Sequence, residues 1–151
     1  MVRILRNRLF TDDNLRKCGM CITSFCRMCM RSDETVSHLF LHCPFANVVW
    51  QWLANKFRIV LDAQDSFAYF FKRVFDVHFS SHVNDLWLAA VVAAIWGIWT
   101  QRNACKFEDT TPNFQRLCDA IEGWVRDATI LSNGVMSITV QDLLIIKSFG
   151  A

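Results

Sequence analysis

Four residues constrain this chain more than any others: Cys26 and Cys29, with two residues between them, then His38, then Cys43. A C-x-x-C puts two thiolates on one tight turn, where both sulfurs can reach a single ion. Three thiolates and one imidazole make a Cys3His set, a closed tetrahedral combination that suits structural Zn2+ and leaves no open position for a catalytic water. Spacing alone keeps a competitor in play. His42 lies one helical turn after His38, so Cys26, Cys29, His38 and His42 form an alternative set. Its internal loop of eight residues is shorter than the roughly twelve of the usual two-Cys, two-His finger, which favours Cys43. Neighbours on a helix point about 100° apart, so His42 and Cys43 compete for one place. Cys18 and Cys21 add a second C-x-x-C with only four residues between Cys21 and Cys26, a cramped gap for a joint site.

The remaining composition sets the class. An odd count of seven cysteines, with tight C-x-x-C spacing among them, points to metal in a reducing compartment (cytoplasm or nucleus) rather than to a disulfide framework. With 151 residues, 53% of them hydrophobic, including thirteen Phe and six Trp, the chain can bury a real core and is not disordered. Only two Pro and five Gly favour long elements, and the scarcity of Val/Ile/Thr alternation favours helices over strands. The expected fold class is mostly α: a small zinc-stabilised N-terminal helical module packed with a helical C-terminal region.

Along the chain, residues 1–10 read as the end of a helix that starts without a capping group. Thr11–Asp13 cap a short helix through Lys17, ended by Gly19. Ser32–Glu34 offer a cap for a helix from about Thr35 to His42. Pro44 suits the first turn of the next, where Val48, Val49, Trp52, Leu53 and Phe57 recur at helical spacing. Residues 59–65 read as a loop, followed by a helix over 66–79 with Phe67, Phe70, Phe71 and Phe75 on one face. Asn84 and Asp85 open the strongest helix, to about Phe107. Its fourteen-residue apolar run Leu86–Trp99 is shorter than the ~18–20 residues of a membrane span, so a buried core helix is expected. Trp96, Trp99, Asn103 and Phe107 share a stripe read as core. Arg102 is placed to lie over Trp99, and Asn103 to bond a nearby backbone group. Pro112 starts a helix to about Leu131, with Leu117, Ile121, Trp124, Val125 and Ala128 near one stripe. Ser132–Gly134 break it, and a short helix or strand covers 138–146. Cys105 and Cys118 read as small core residues, and His78 and His82 as surface histidines. Met1–Leu9 has no apolar stretch like that of a secretory signal.

Three strings then become recognisable: Thr11–Lys17; Cys26–Cys29; and Asp33–Ala46, which contains E-T-x-x-H-L-F-x-x-C followed by Pro44 and Ala46, and leads to Val49-Trp50. Together they resemble the reverse-transcriptase zinc-binding domain. That family sits C-terminal to the polymerase in plant LINE-type (non-LTR) retrotransposons and in host genes derived from them. The resemblance maps Cys26, Cys29, His38 and Cys43 onto the family's pattern and covers roughly residues 5–58. Downstream, Trp96–Phe107 resembles the W-x-I-W-x-x-R-N-x-x-x-F phrase that follows this module, and Leu143–Gly150 the connector that leads toward an RNase H domain. Phe10 stands where the family usually has Pro, and Cys18 where Arg is common. The organisation implied is a zinc-binding module over 1–58, a helical region over 66–131 with its core helix over 84–107, and a connector over 132–151 cut off before any RNase H domain.

For function, no nucleophilic triad, carboxylate cleft or phosphate-cradling Gly loop is legible, so a non-enzymatic module is expected, with Zn2+ as its cofactor. Residues 1–31 carry seven bases and two acids, which leaves the remainder of the +2 chain acidic. Arg16, Lys17, Arg27 and Arg31 lie in or beside the metal motif and are the candidate phosphate contacts. The expected role is a structural zinc-binding accessory of a reverse transcriptase that aids RNA or DNA binding, with the polymerase and RNase H parts of a parent polyprotein as further partners and no membrane. The alternative is a protein-interaction module, or an inactive retroelement-derived remnant.

Overall fold

A computed structural model describes residues 9–61, 66–132 and 139–150. Among these, the chain is helical with no strand: α1 (Asp12–Lys17), a π-helical turn (His38–His42), α2 (Pro44–Phe57), α3 (Phe67–Phe75), α4 (Ser81–Phe107), α5 (Phe114–Leu131) and α6 (Val140–Ser148). The expected mostly-α class is what the chain adopts.

Helix starts differ from the sequence reading wherever a better cap lay nearby. Ser32–Glu34 do not cap. Thr35 does, its hydroxyl accepting from the His38 amide at 2.9 Å, because Glu34 is drawn inward by a partner distant in sequence. Helix α4 begins at Ser81 rather than at Asn84, since the Ser80 hydroxyl accepts from the Val83 amide. Helix α5 begins at Phe114 rather than Pro112, capped by Asn113 through the Arg116 amide at 2.9 Å. Helix α3 starts after Ser66, which caps Tyr69, and stops at Phe75. The last element is helix, not strand. Of the helix end expected over 1–10, residues 9 and 10 are not helical, and residues 1–8, like the loop residues 62–65 and the segment 133–138, lie outside the described residues.

The core is layered around aromatic rings. Trp50 meets Phe70 and Phe71 edge-on at 5.3 and 5.9 Å between centroids, and Phe57 meets Trp87 and Phe149 at 5.0 and 5.2 Å. Each buried indole N–H has an acceptor, as burial of a polar group requires: Trp50 donates to the Phe40 carbonyl and Trp87 to the Val74 carbonyl. Helix α6 is held to α2 by Lys56, which donates to the Ser148 carbonyl at 2.6 Å. Helices α4 and α5 cross closely at Gly97. A Cβ there would stand 2.0 Å from Leu117 Cδ1, so the Leu117 side chain fills the space that Gly97 leaves.

Helix α4 is the central element, burying Val83, Leu86, Trp87, Ala90, Val91, Ala94, Ile95 and Ile98. Among the described residues it alone is long and apolar enough to cross a membrane, judged by length and composition, yet half of its most apolar window is buried inside the fold. The stripe read as core is corrected. Trp96 is 57% and Phe107 72% exposed, because α5 packs on one flank of α4 and the described helices leave the row Leu88, Val92, Trp96 at the surface. Trp124 of α5, also placed on a core stripe, is likewise half-exposed, while Leu117, Ile121 and Val125 are buried. Asn103 accepts from the neighbouring Arg102 side chain at 2.9 Å rather than bonding to backbone.

Arg102 is the unforeseen centre of the fold. It is 1% exposed, and Glu34, which faces it, has no exposed surface. Its Nε donates to both Glu34 carboxylate oxygens at 3.1 and 2.9 Å, and Nη2 also donates to Glu34. Nη2 further reaches the Phe10 carbonyl and Asp12. The guanidinium carbon lies 5.0 Å from the centre of the Trp99 ring, as its three-residue spacing predicted. Glu34 also receives the Asp12 amide, and its own backbone bonds the Ser24 hydroxyl and the Asp13 amide. Asp12, read as a helix-boundary acid, is buried and pairs with Lys106 as well. One carboxylate therefore fastens α1, the loop before the π turn and α4. Removing one member of a buried pair strands the other charge, at about 3–5 kcal/mol. Arg102→Met should lower the unfolding free energy by that amount in urea titration, whereas Arg31→Ala, at an exposed position, should change it by about 0.5 kcal/mol or less.

Candidate metal centre

Two short backbone devices build the site. In the first, Cys26 to Met30 closes a turn: the Met30 amide donates to the Cys26 carbonyl at 2.8 Å, with Met30 at φ 54°. The Cys26 amide donates to the Ser32 carbonyl at 2.8 Å, which fixes the turn's base. The second is the π turn. The Cys43 amide donates to the His38 carbonyl at 2.6 Å, five residues back. In a regular α-helix, residues five apart point about 140° from each other. The wider π winding closes that gap, a distortion found preferentially at functional sites. It brings His38 and Cys43 to one side, where an α-helix would have paired His38 with His42.

The Sγ atoms of Cys26, Cys29 and Cys43 and a ring nitrogen of His38 all lie within 4.8 Å of one another. Cys26 and Cys43 sulfurs are 3.9 Å apart, and Cys29 Sγ is 3.3 Å from His38 Nε2. With Zn–S of about 2.3 Å, the edge of a tetrahedron is about 3.8 Å, so these two pairs are close to the spacing of zinc ligands and a small inward shift of the remaining donors would complete the sphere. Cys26 and Cys43 are fully buried and His38 is 9% exposed. His42 is outside the cluster: it is exposed, with Nδ1 3.1 Å from the Ser37 hydroxyl. Cys18 and Cys21 are exposed and take no part.

The donors' electrostatics suit a cation. As bare thiols, Cys26 and Cys43 share a hydrogen bond that pushes Cys26 up to about 12, with burial adding to the rise. The same bond draws the Cys43 thiol down, helped by the Phe45 and Ala46 amides of the first turn of α2. Cys43 thus caps a helix whose positive end favours its thiolate. Sulfurs this close can all be thiolates only around a positive charge, which a divalent ion supplies. Elsewhere, burial raises the Cys105 thiol and pushes Cys118 up to about 11, as expected of inert core thiols.

The bases near the site fall into two kinds. Arg16 reaches Asp33 at 3.8 Å and donates to the Ile22 carbonyl, and Lys17 pairs with Asp13 at 3.1 Å. Arg27 and Arg31 are exposed and make no hydrogen bond or ion pair among the described residues. Sequence reasoning missed Glu34 and Arg102, although both lie within the strings that carried the resemblance. A buried Arg on an apolar helix was the available signal, since such a charge demands a partner.

Residues 1–50 match the family model described as zinc-binding in reverse transcriptase. This is the family recognised from the motif, and the four clustered donors lie within the matched segment. The N-terminal third is accordingly similar to a reverse-transcriptase zinc-binding module, and its four clustered donors support zinc as the cofactor. No curated protein and no solved structure matches the chain.

A structural site of this kind contributes on the order of 10 kcal/mol of apparent binding free energy, comparable to the stability of a whole domain. Cys43→Ser should abolish stoichiometric zinc, measured by metal analysis after gel filtration, while His42→Ala should retain it. Chelation should melt helicity in the zinc module, and the loss should reach α4 through Glu34 and Arg102.

Proposed function

We propose that Cys26, Cys29, His38 and Cys43 hold one Zn2+ in a closed structural site, and that the module it organises is a non-catalytic accessory of a retroelement reverse transcriptase that helps grip RNA or DNA. The observation that carries the zinc assignment is the mutual approach of the four donors within 4.8 Å. A complete protein ligand set supports a structural over a catalytic role. The division into a module over 1–58, a helical region over 66–131 and a connector over 132–151 leading toward an RNase H portion belongs to the same reading, as does a nuclear or cytoplasmic location.

For nucleic acid, the supporting observation is the pair of exposed, unengaged guanidiniums Arg27 and Arg31 beside the metal turn. Arg16 and Lys17 already face acids, so they contribute less than their charge suggests. A protein-interaction role has its own support in the exposed apolar row Leu88, Val92 and Trp96 with Trp124; contiguous patches of this kind mark contact surfaces. Two phosphate contacts imply a log–log salt slope of about −1.4 on single strands. In fluorescence anisotropy, Arg27→Ala with Arg31→Ala should remove most of that slope with zinc content unchanged, and Arg16→Ala with Lys17→Ala should change it less. Binding undetectable at low salt would favour the protein-interaction reading.

A further inference from the structure

The chain forms a cavity of about 360 Å3 between the zinc module and the C-terminal end of α4. This is within the range of small-ligand sites, about 300–1,000 Å3. Thr23, Phe25 and Arg27 line it from the loop that carries the first C-x-x-C thiols, and Lys106 lines it from α4. Asp12 forms part of the wall.

We propose that this cavity is a composite subsite for one nucleotide of a single-stranded nucleic acid, with a phosphate between Arg27 and Lys106 and an unstacked base against Phe25. The proposal rests on the nucleic-acid reading above and adds residues that reading does not contain. Three observations carry it.

The first is donor supply. All five N–H groups of Arg27 are unengaged among the described residues. Lys106 Nζ gives one of its three N–H bonds to Asp12, which leaves two for a ligand. Thr23, an exposed residue, lines the same cavity.

The second is charge. Glu34, Asp12, Arg102 and Lys106 form a network of two acids and two bases. It is neutral, so Arg27 gives the cavity a net positive charge that suits one phosphodiester.

The third is the ring. Phe25 is 40% exposed at the cavity, although its neighbours Ser24 and Cys26 are buried. A half-open aromatic beside phosphate donors is the arrangement that stacks a base without reading sequence. It requires a base released from a duplex, hence a single strand.

The test uses the full zinc-loaded chain and a short fluorescein-labelled oligouridylate, with the same strand annealed to its complement as a second probe. Phe25→Ala should weaken single-strand binding roughly five-fold or more, and Phe25→Trp should restore it. Lys106→Gln should weaken single-strand binding and flatten the salt slope by less than the roughly 0.7 of a whole phosphate, because Arg27 still faces it, and Lys106→Arg should keep both. Zinc content and helicity of each variant exclude a folding effect, and Phe25→Ala, at a half-exposed position, serves if Lys106→Gln disturbs Asp12. Loss of binding in Arg27→Ala and Arg31→Ala with none in Phe25→Ala or Lys106→Gln would overturn the subsite and leave the wider reading standing. Equal affinity for the duplex would overturn the stacked base. Displacement of the oligonucleotide by inorganic phosphate at equal phosphate concentration would make the cavity a free-phosphate site and overturn the nucleotide assignment. No binding by the unmodified chain at low salt would overturn both readings.

Discussion

A carboxylate without exposed surface facing a guanidinium on the central helix is the interaction on which the rest of this fold depends. Glu34 stands four residues before His38, and Arg102 lies sixty-eight residues further on than Glu34. Burying either alone would be prohibitive, and their pairing is made acceptable only by the additional hydrogen bonds that occupy their remaining donors and acceptors. Asp12, Phe10, Asn103 and the Trp99 ring supply those contacts to Arg102. The metal turn and α4 are consequently not free to move independently. A residue on the long helix, Lys106, reaches back to the zinc module through the same network.

The π turn plays the corresponding role at shorter range. It is one residue wider than an α turn, and that residue decides which side chain joins Cys26 and Cys29. An α-helical His38–Cys43 segment would direct Cys43 away and His42 inward. Pro44, which cannot donate a backbone hydrogen bond, starts α2 directly after Cys43. The helix then contributes its first amides to the Cys43 sulfur. Trp50, one face of α2, fastens the turn by donating to the Phe40 carbonyl.

The donor cluster was legible because ligand chemistry is local: two thiols on one turn and two more donors nearby admit few arrangements. The match of residues 1–50 is to the family that the same motif resembles. Helix type was legible from composition, and the end of α4 at Phe107 from its polar boundary. What failed depended on distant partners. Glu34 looked like a helix cap because its spacing from Thr35 onward fits one, and only Arg102 reveals why it turns inward. Trp96 looked like core because aromatic side chains at helical spacing usually are. Whether a row is covered depends on how many helices surround α4, and periodicity carries no such information. Arg16 and Lys17 counted as free charge in the sequence, yet Asp33 and Asp13 stand beside them.

The central claim is a closed zinc sphere of three sulfurs and one nitrogen, supplied by a π turn and a tight C-x-x-C turn. Zinc K-edge X-ray absorption on the purified full chain reads that sphere directly. The account predicts one zinc per chain with three sulfurs at about 2.3 Å and one imidazole nitrogen at about 2.0–2.1 Å. A sphere of two sulfurs and two imidazoles, a bound oxygen in place of a sulfur, or a chain that binds no zinc under reducing conditions would contradict it.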